Sequence, residues 1–199
     1  MSPHENQNEV VFDRLRKLGI GPDTVDAVIG IDAFLQNWRR QGLKREISRR
    51  ALADLHIELD LAQFDVLVAI EGRPAEFGER PGETMVATVA ERLSIDPSRA
   101  SRIVSDMVER GYARRAVSQA DARRTIIELT EQGTAAVTAV RTYRFIIMSD
   151  FLGQWDAERL RIFVAMLQEF GAWVGHAESA ADKFAPEIEA LAASIATPP

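Results

Sequence analysis

Apolar residues recur at helical spacing along most of the chain. From Asp23, positions Val25, Val28, Ile29, Ala33, Leu35 and Trp38 fall mostly three or four apart, with Asp32 a polar interruption. They predict an amphipathic helix to about Gln41, which Gly42 ends or bends. Residues 1–8 read as a loose polar tail, and Glu9 to Leu18 as a short helix stopped by Gly19, Gly21 and Pro22. Lys44 to Leu59 continues the helical pattern through Ile47, Ala51, Leu55 and Ile57, and Leu61 to Glu71 through Phe64, Leu67, Val68 and Ile70. Three glycines and two prolines between Gly72 and Gly82 predict an exposed loop, long for a connection inside a compact domain. Beyond it the period changes twice. Met85 to Leu93 and Pro97 to Gly111 are two helices separated only by Ser94, Ile95 and Asp96. Tyr112 to Val117 and Arg124 to Leu129 are strands joined by a polar turn. Glu131 to about Asp150 and Trp155 to about His176 are long helices broken near Gly153, and Asp182 to Ala196 is a terminal helix.

The close pair of helices carries the most information. The first presents Val89, Ala90 and Leu93 inward and the second Ala100, Ile103, Val104, Met107 and Val108; the short connection forces a steep crossing, as in a helix-turn-helix. Asp96 suits the capping position of the second helix and Pro97 its first helical position, so this N-terminus is well specified. Ser98, Arg99, Ser101 and Arg102 lie on its exposed first two turns, where arginine can bond guanine edges and serine can reach bases or phosphate. A solvated helix surface is the competing explanation. The hairpin that follows brings Arg114, Arg115, Arg123 and Arg124 beside that helix, placed to clamp phosphate or enter a minor groove. Asp121 at the wing base is expected to orient Arg123 by a bidentate pair, against the alternative of an ordinary turn aspartate.

Composition changes this picture in two respects. The net charge of -6 argues against nucleic acid, but residues 97–124 hold seven arginines against Asp106, Glu109 and Asp121, a local +4 that leaves -10 on the remainder. A solvated arginine-rich hairpin would have the same local charge. The absence of cysteine removes disulfides, thiolate catalysis and cysteine-based zinc sites and agrees with a reducing, cytoplasmic location. The start MSPHENQNEV lacks a signal-peptide layout, and no apolar run is long enough to span a bilayer, so no membrane partner is expected. His4, His56 and His176 show no ligand spacing, and no metal or cofactor is expected. Asp54 and Glu58 lie one helical turn apart but read as a helix surface, and no hydrolase, kinase or phosphate-loop motif is present. The basic run RRQGLKREISRR, residues 39–50, reads as a solvated helix face in preference to a second phosphate contact.

Three segments resemble the MarR family of bacterial transcriptional regulators: LDLAQFDVL at 59–67, TVAERLSIDPSRASRIVSDMVERGYARR at 88–115, and DARRTIIELTEQG at 121–133. The resemblance implies a mainly α fold with a small β-wing, a winged helix-turn-helix whose N- and C-terminal helices interlock in a homodimer. It divides the chain into dimerisation helices at 1–58, a DNA-binding domain at 59–130 and further dimerisation helices at 131–199. It assigns Asp121 and Arg123 to the family's aspartate-x-arginine wing feature. Two reading heads would meet double-stranded DNA at half-sites about 34 Å apart. The expected function is a sequence-specific, ligand-responsive repressor of a palindromic operator, not an enzyme. An enzyme with an accessory winged domain and a low-specificity architectural DNA-binding protein are the alternatives. Family effectors bind between the dimer core and the reading heads, where the resemblance places Phe34, Trp38, Phe64 and Tyr143, with Phe145, Phe151 and Trp155 nearby. Core or interface packing is the commoner role for any one of these aromatics. Ser94 stands where the family commonly has a turn glycine, and the 72–82 loop and both terminal extensions are longer than in a minimal member.

Overall fold

The computed structural model describes residues 3–41, 43–73 and 82–196. The elements in order are α1 (Pro3–Lys17), α2 (Pro22–Gln41), α3 (Leu43–Asp54), α4 (Leu61–Glu71), α5 (Val86–Leu93), α6 (Pro97–Glu109), β1 (Ala113–Val117), β2 (Thr125–Leu129), α7 (Glu131–Leu152), α8 (Ala157–Gly171), α9 (Trp173–Lys183) and α10 (Ala185–Ala196). The fold is mainly helical with one antiparallel two-stranded sheet. Gly42 and most of the predicted 72–82 loop, residues 74–81, lie outside the described residues.

The chain divides into two compact units, 1–144 and 145–199. In the first, α3, α4, α5, α6, the hairpin and the N-terminal half of α7 enclose a core in which Leu67, Met107, Val66, Val89, Val104, Val137 and Val140 are fully buried. Burial of each such side chain stabilises by about 1.5–3 kcal/mol, so this cluster dominates the cohesion of the unit. The helix α4 is almost wholly apolar because it packs on α3, α5, α6 and β2 at once. At its start Asp60 and Gln63 form a reciprocal capping box, and it stops at Gly72, which adopts the left-handed conformation at φ 59°. In the second unit, Asp156 caps α8 by accepting from the Arg159 N–H at 2.7 Å, and Trp155 packs edge-on against Phe151 and Phe163 beneath the Arg159 guanidinium.

Several boundaries differ from the predicted ones, most for a packing or capping reason. The expected polar tail is helical from Pro3. The helix expected to run to Leu59 ends at Asp54: His56 turns left-handed at φ 53°, and the Ile57 N–H returns to the Leu52 carbonyl at 2.9 Å. This turn brings Leu59 into the core and packs Ile57 against it. The helix expected from Trp155 to His176 begins only after the Asp156 cap and breaks at Ala172, next to Gly171, with Phe170 stacked on Trp173 across the break. A further break at Phe184 moves the start of the last helix from Asp182 to Ala185.

Candidate nucleic-acid interface

The turn between α5 and α6 is built by backbone geometry. Ser94 is left-handed at φ 51°, ψ 46°, which lets the Ile95 N–H reach the Ala90 carbonyl at 3.0 Å while Ile95 packs against the core. The chain then turns at once into α6. Oδ1 of Asp96 accepts from the Ser98 N–H at 2.8 Å, the Arg99 N–H at 3.3 Å and the Ser98 hydroxyl. The Ser98 hydroxyl, followed by the Ser98 and Arg99 amides, holds the Asp96 carboxyl below the usual carboxylate range. The charged cap also complements the positive end of the helix dipole.

Helix α6 buries Ala100, Val104 and Met107 and leaves Ser98, Arg99, Ser101 and Arg102 exposed on its N-terminal turns. The Ser98 hydroxyl is engaged by Asp96, whereas the Arg99 and Arg102 guanidinium groups form no ion pair among the described residues. Three polar contacts fix the roll and depth of α6. Gln63 of the α4 capping box donates to Asp106 Oδ2 at 2.7 Å, Arg110 donates to the Glu58 carbonyl, and Arg115 of β1 donates to Ser105 Oγ at 3.1 Å.

The wing pairs Ala113 with Leu129 through to Val117 with Thr125. This register sets Arg114 opposite Glu128, and Arg114 donates from Nε at 3.0 Å and from a terminal nitrogen at 2.9 Å to the same carboxylate oxygen. Along the outer edge of β2, the Ile127 N–H bonds the Thr84 carbonyl at 2.7 Å. Thr84 is buried and is itself held, its hydroxyl donating to the Ile70 carbonyl at 3.2 Å and accepting from Arg92 at 3.0 Å. Beside it, both carboxylate oxygens of Glu83 reach the wing loop: one accepts from the buried Ser118 hydroxyl, the other from the Gln119 N–H at 2.8 Å. These bonds, Ser118 first, hold the Glu83 carboxyl below its ordinary range. The Ser118 oxygen in turn accepts from the Ala120 and Asp121 amides at 3.1 and 3.0 Å.

Asp121 does orient its neighbours, but not by the expected bidentate pair with the Arg123 side chain. Its Oδ1 accepts from the Arg123 backbone N–H at 3.0 Å, and its charged partner is the Arg124 guanidinium at 3.3 Å. The cause is local: a turn over 121–124, closed by the Arg124 N–H to the Asp121 carbonyl at 2.9 Å, engages Arg123 through its backbone and brings the Arg124 guanidinium back to the carboxylate. The structure thus gathers Ser98, Arg99, Ser101, Arg102, Arg115, Asp121, Arg123 and Arg124 around α6 and the wing, with Arg114 paired across the hairpin to Glu128.

The four aromatics assigned to an effector are dispersed in the single chain. Phe64 is core at 3% exposure, and Tyr143 packs against that core and donates to Asp54 Oδ2 at 2.6 Å, a bond that raises the pKa of its phenol. Phe34 and Trp38 face solvent on α2, their rings 5.6 Å apart. Of the basic run, Arg45, Arg49 and Arg50 pair with Asp65, Glu46 and Asp54. Among the described residues, no group of histidines or carboxylates could hold a metal ion, and no helix is long and apolar enough to cross a membrane.

Glu83 and Gly133 are the site residues that sequence reasoning missed. A Cβ on Gly133, in the first turn of α7, would lie 2.0 Å from the Tyr112 carbonyl oxygen at the root of the wing. The TEQG end of the third matching segment marks this glycine, but nothing in the sequence gives its reason; no signal marks Glu83, which lies 35 residues from Ser118.

A capped helix seated on a buried helix pair and flanked by a two-stranded basic wing defines a winged helix-turn-helix, the fold of a class of DNA-binding proteins. A sequence model of the MarR family matches residues 57–124. The matched stretch runs from just before α4 through β1, and the chain has the mainly helical fold with a two-stranded wing that this family model accompanies. Its fold is similar to that of a MarR family protein from Bacillus stearothermophilus, at 17% identity and TM-score 0.60 over 75% of this chain and 97% of that one. It is similar also to RV1404 from Mycobacterium tuberculosis, at 23% identity and TM-score 0.54 over 73% and 94% of the two chains. Ethidium-bound MepR from S. aureus is a third, at 16% identity and TM-score 0.51 over 69% and 95%. No curated protein matches the chain in sequence.

Proposed function

We propose that the chain is a sequence-specific, homodimeric repressor of a palindromic operator. The observation that carries this reading is the face of α6: Arg99 and Arg102 stand exposed on its first two turns with no ion pair among the described residues, next to a wing that adds Arg123 and Arg124. Recognition helices read base edges from their N-terminal residues. We assign Ser101, Arg99 and Arg102 to the bases, with Ser98 closing the cap, and Arg115, Arg123 and Arg124 to phosphate or the minor groove. Arg114 adds to the field of the wing, attenuated by Glu128. Residues 59–130 form the reading head, and the helices at 1–58 and 131–199 supply the dimer. Apolar side chains exposed in one chain support that assignment: Val28, Ile31, Phe34 and Trp38 on α2, and Phe163, Met166, Leu167 and Phe170 on α8.

The test begins with duplexes selected by the full-length protein from a randomised pool. A recovered palindrome, bound far more tightly than its scrambled counterpart, is expected; equal affinities would reduce the protein to architectural binding. Arg102→Ala should lose about 1–3 kcal/mol of discrimination at one base position. Uniform loss across sequences would make Arg102 a phosphate contact. Sedimentation should give a dimer at micromolar concentration, and a monomer would remove the two-half-site geometry. Response to a small apolar cation is the finer proposal, supported by the ethidium-bound MepR structure. Such a ligand would act through differential affinity for dimers with right and wrong head spacing. Release of the selected duplex by micromolar ethidium, at concentrations that leave the free duplex intact, would support it, and undiminished binding would oppose it.

A further inference from the structure

We propose that Glu83 is a positioning residue of the wing: an acidic group that strengthens DNA binding by holding the basic loop in place. The inference rests on the reading of the wing as a DNA contact. The seven residues between β1 and β2 would otherwise be a solvent-exposed loop with several long side chains to order on binding. Instead a continuous chain of hydrogen bonds ties them to the body of the reading head. Thr84 is fixed on three sides, by Ile127, Ile70 and Arg92. The adjacent Glu83 therefore projects from a rigid base, and its two carboxylate oxygens are divided between the Ser118 hydroxyl and the Gln119 amide. Ser118, only 4% exposed, passes the constraint to the amides of Ala120 and Asp121, and Asp121 passes it to the Arg123 amide and the Arg124 guanidinium. The Ser118 N–H closes the loop on the Arg124 carbonyl at 3.0 Å.

Two effects of Glu83 oppose each other. As a negative charge near the duplex it repels phosphate, so by charge alone its removal should tighten binding. As a clamp with every carboxylate oxygen engaged, it preorganises Arg123 and Arg124, so its removal should weaken binding. An exposed charge is screened within about 8–10 Å at physiological ionic strength, whereas a released loop forfeits its phosphate contacts altogether. The positioning effect wins.

The experiment uses the full-length protein and the duplex recovered from the randomised pool by the wild type, with affinity measured by anisotropy across a series of potassium chloride concentrations. Glu83→Ala should weaken binding several-fold and lower the slope of log affinity against log salt by about 1–2, the loss of one or two phosphate contacts. Ser118→Ala should do the same, and the double variant no worse than either, because both break one chain of contacts. Glu83→Gln keeps one carbonyl acceptor at the same length and should fall between. Without DNA, amide exchange of Gln119, Ala120 and Asp121 should quicken in Glu83→Ala while that of core amides is unchanged, a readout that general loss of stability would not produce. Arg123→Ala is the parallel arm. If it lowers the slope while Glu83→Ala binds as tightly as the wild type or more so, the clamp is overturned and the wing contact stands. If neither changes the slope, the wing is not at the interface and the reading beneath the clamp fails.

Discussion

Gly133→Ala is a test in which local and tertiary reasoning predict opposite signs. Gly133 lies in the first turn of α7, where alanine would gain about 1 kcal/mol in helix propensity. In place, however, the new methyl would sit 2.0 Å from the Tyr112 carbonyl oxygen, 3.1 Å from its carbon and 3.2 Å from Leu129 Cδ2. The carbonyl cannot simply retreat. It accepts from the Thr130 N–H at 3.1 Å, and Thr130 is further tied by its hydroxyl, which donates to the Gly111 carbonyl at 2.6 Å and accepts from the Gly133 N–H at 3.1 Å. Relief requires α7 and the root of the wing to separate by more than 1 Å. Overpacking costs about 1–3 kcal/mol, and disrupting the Thr130 bond adds about 1–2 kcal/mol. Set against the propensity gain, the net destabilisation is about 1–4 kcal/mol, or roughly 2–16 °C in Tm for a chain of this size. Urea and thermal melts of the full-length protein would measure it, with Gly30→Ala as the control. Gly30 lies in α2 with nothing within 4 Å of its Cβ position, so the same substitution there should be neutral to stabilising by up to about 1 kcal/mol. A Gly133→Ala variant as stable as the wild type would refute the close approach of helix and wing.

Ser94→Gly should stabilise the protein, because a non-glycine residue at φ 51° costs roughly 1–2 kcal/mol while glycine adds unfolded-state entropy of about 0.4–1 kcal/mol. A lower urea midpoint in the variant would contradict a left-handed turn at this position. Gly72→Ala should destabilise: φ is 59°, and the methyl would lie 2.4 Å from the Arg92 terminal nitrogen that bonds the Ala69 carbonyl and Thr84 hydroxyl, a conflict that Arg92→Ala in the same chain should partly relieve in urea melts. The Asp96 cap has a carboxyl pKa depressed in the folded state, so its stabilisation is present above the ordinary aspartate value near 3.8 and is lost as pH falls through the lower folded value. Stability measured between pH 6 and 2 should therefore decline less steeply in Asp96→Asn than in the wild type; parallel curves would disprove a charged cap.

Much of the reading head was legible because its signals are local. The Asp96–Pro97 start, the apolar spacing of Val89, Ala90, Val104 and Met107, and the alternation of the wing each depend on residues within one or two turns of one another. The departures arise where turn geometry or tertiary packing decides the outcome. Asp121 lies in the expected neighbourhood but pairs with the Arg124 guanidinium and not that of Arg123, because which of two adjacent arginines folds back depends on the turn geometry. The resemblance groups Phe64 with Phe34 around an effector, and the single chain holds Phe64 in the core and leaves Phe34 on α2 exposed. Helical periodicity carries the predicted helix through Ile57, whereas the left-handed turn that buries Leu59 ends it at Asp54.

By itself the sequence determined the order of helices and strands, the capped start of α6, the set of exposed arginines and the concentration of positive charge over 97–124. These follow from backbone propensity, capping chemistry and composition, which act over short separations along the chain. Only the tertiary structure decided which of those arginines are already paired, why Gly133 admits no side chain, and how Glu83 reaches a loop 35 residues away. Such relations depend on distances between elements that hydrophobic burial brings together, and no local pattern encodes those distances.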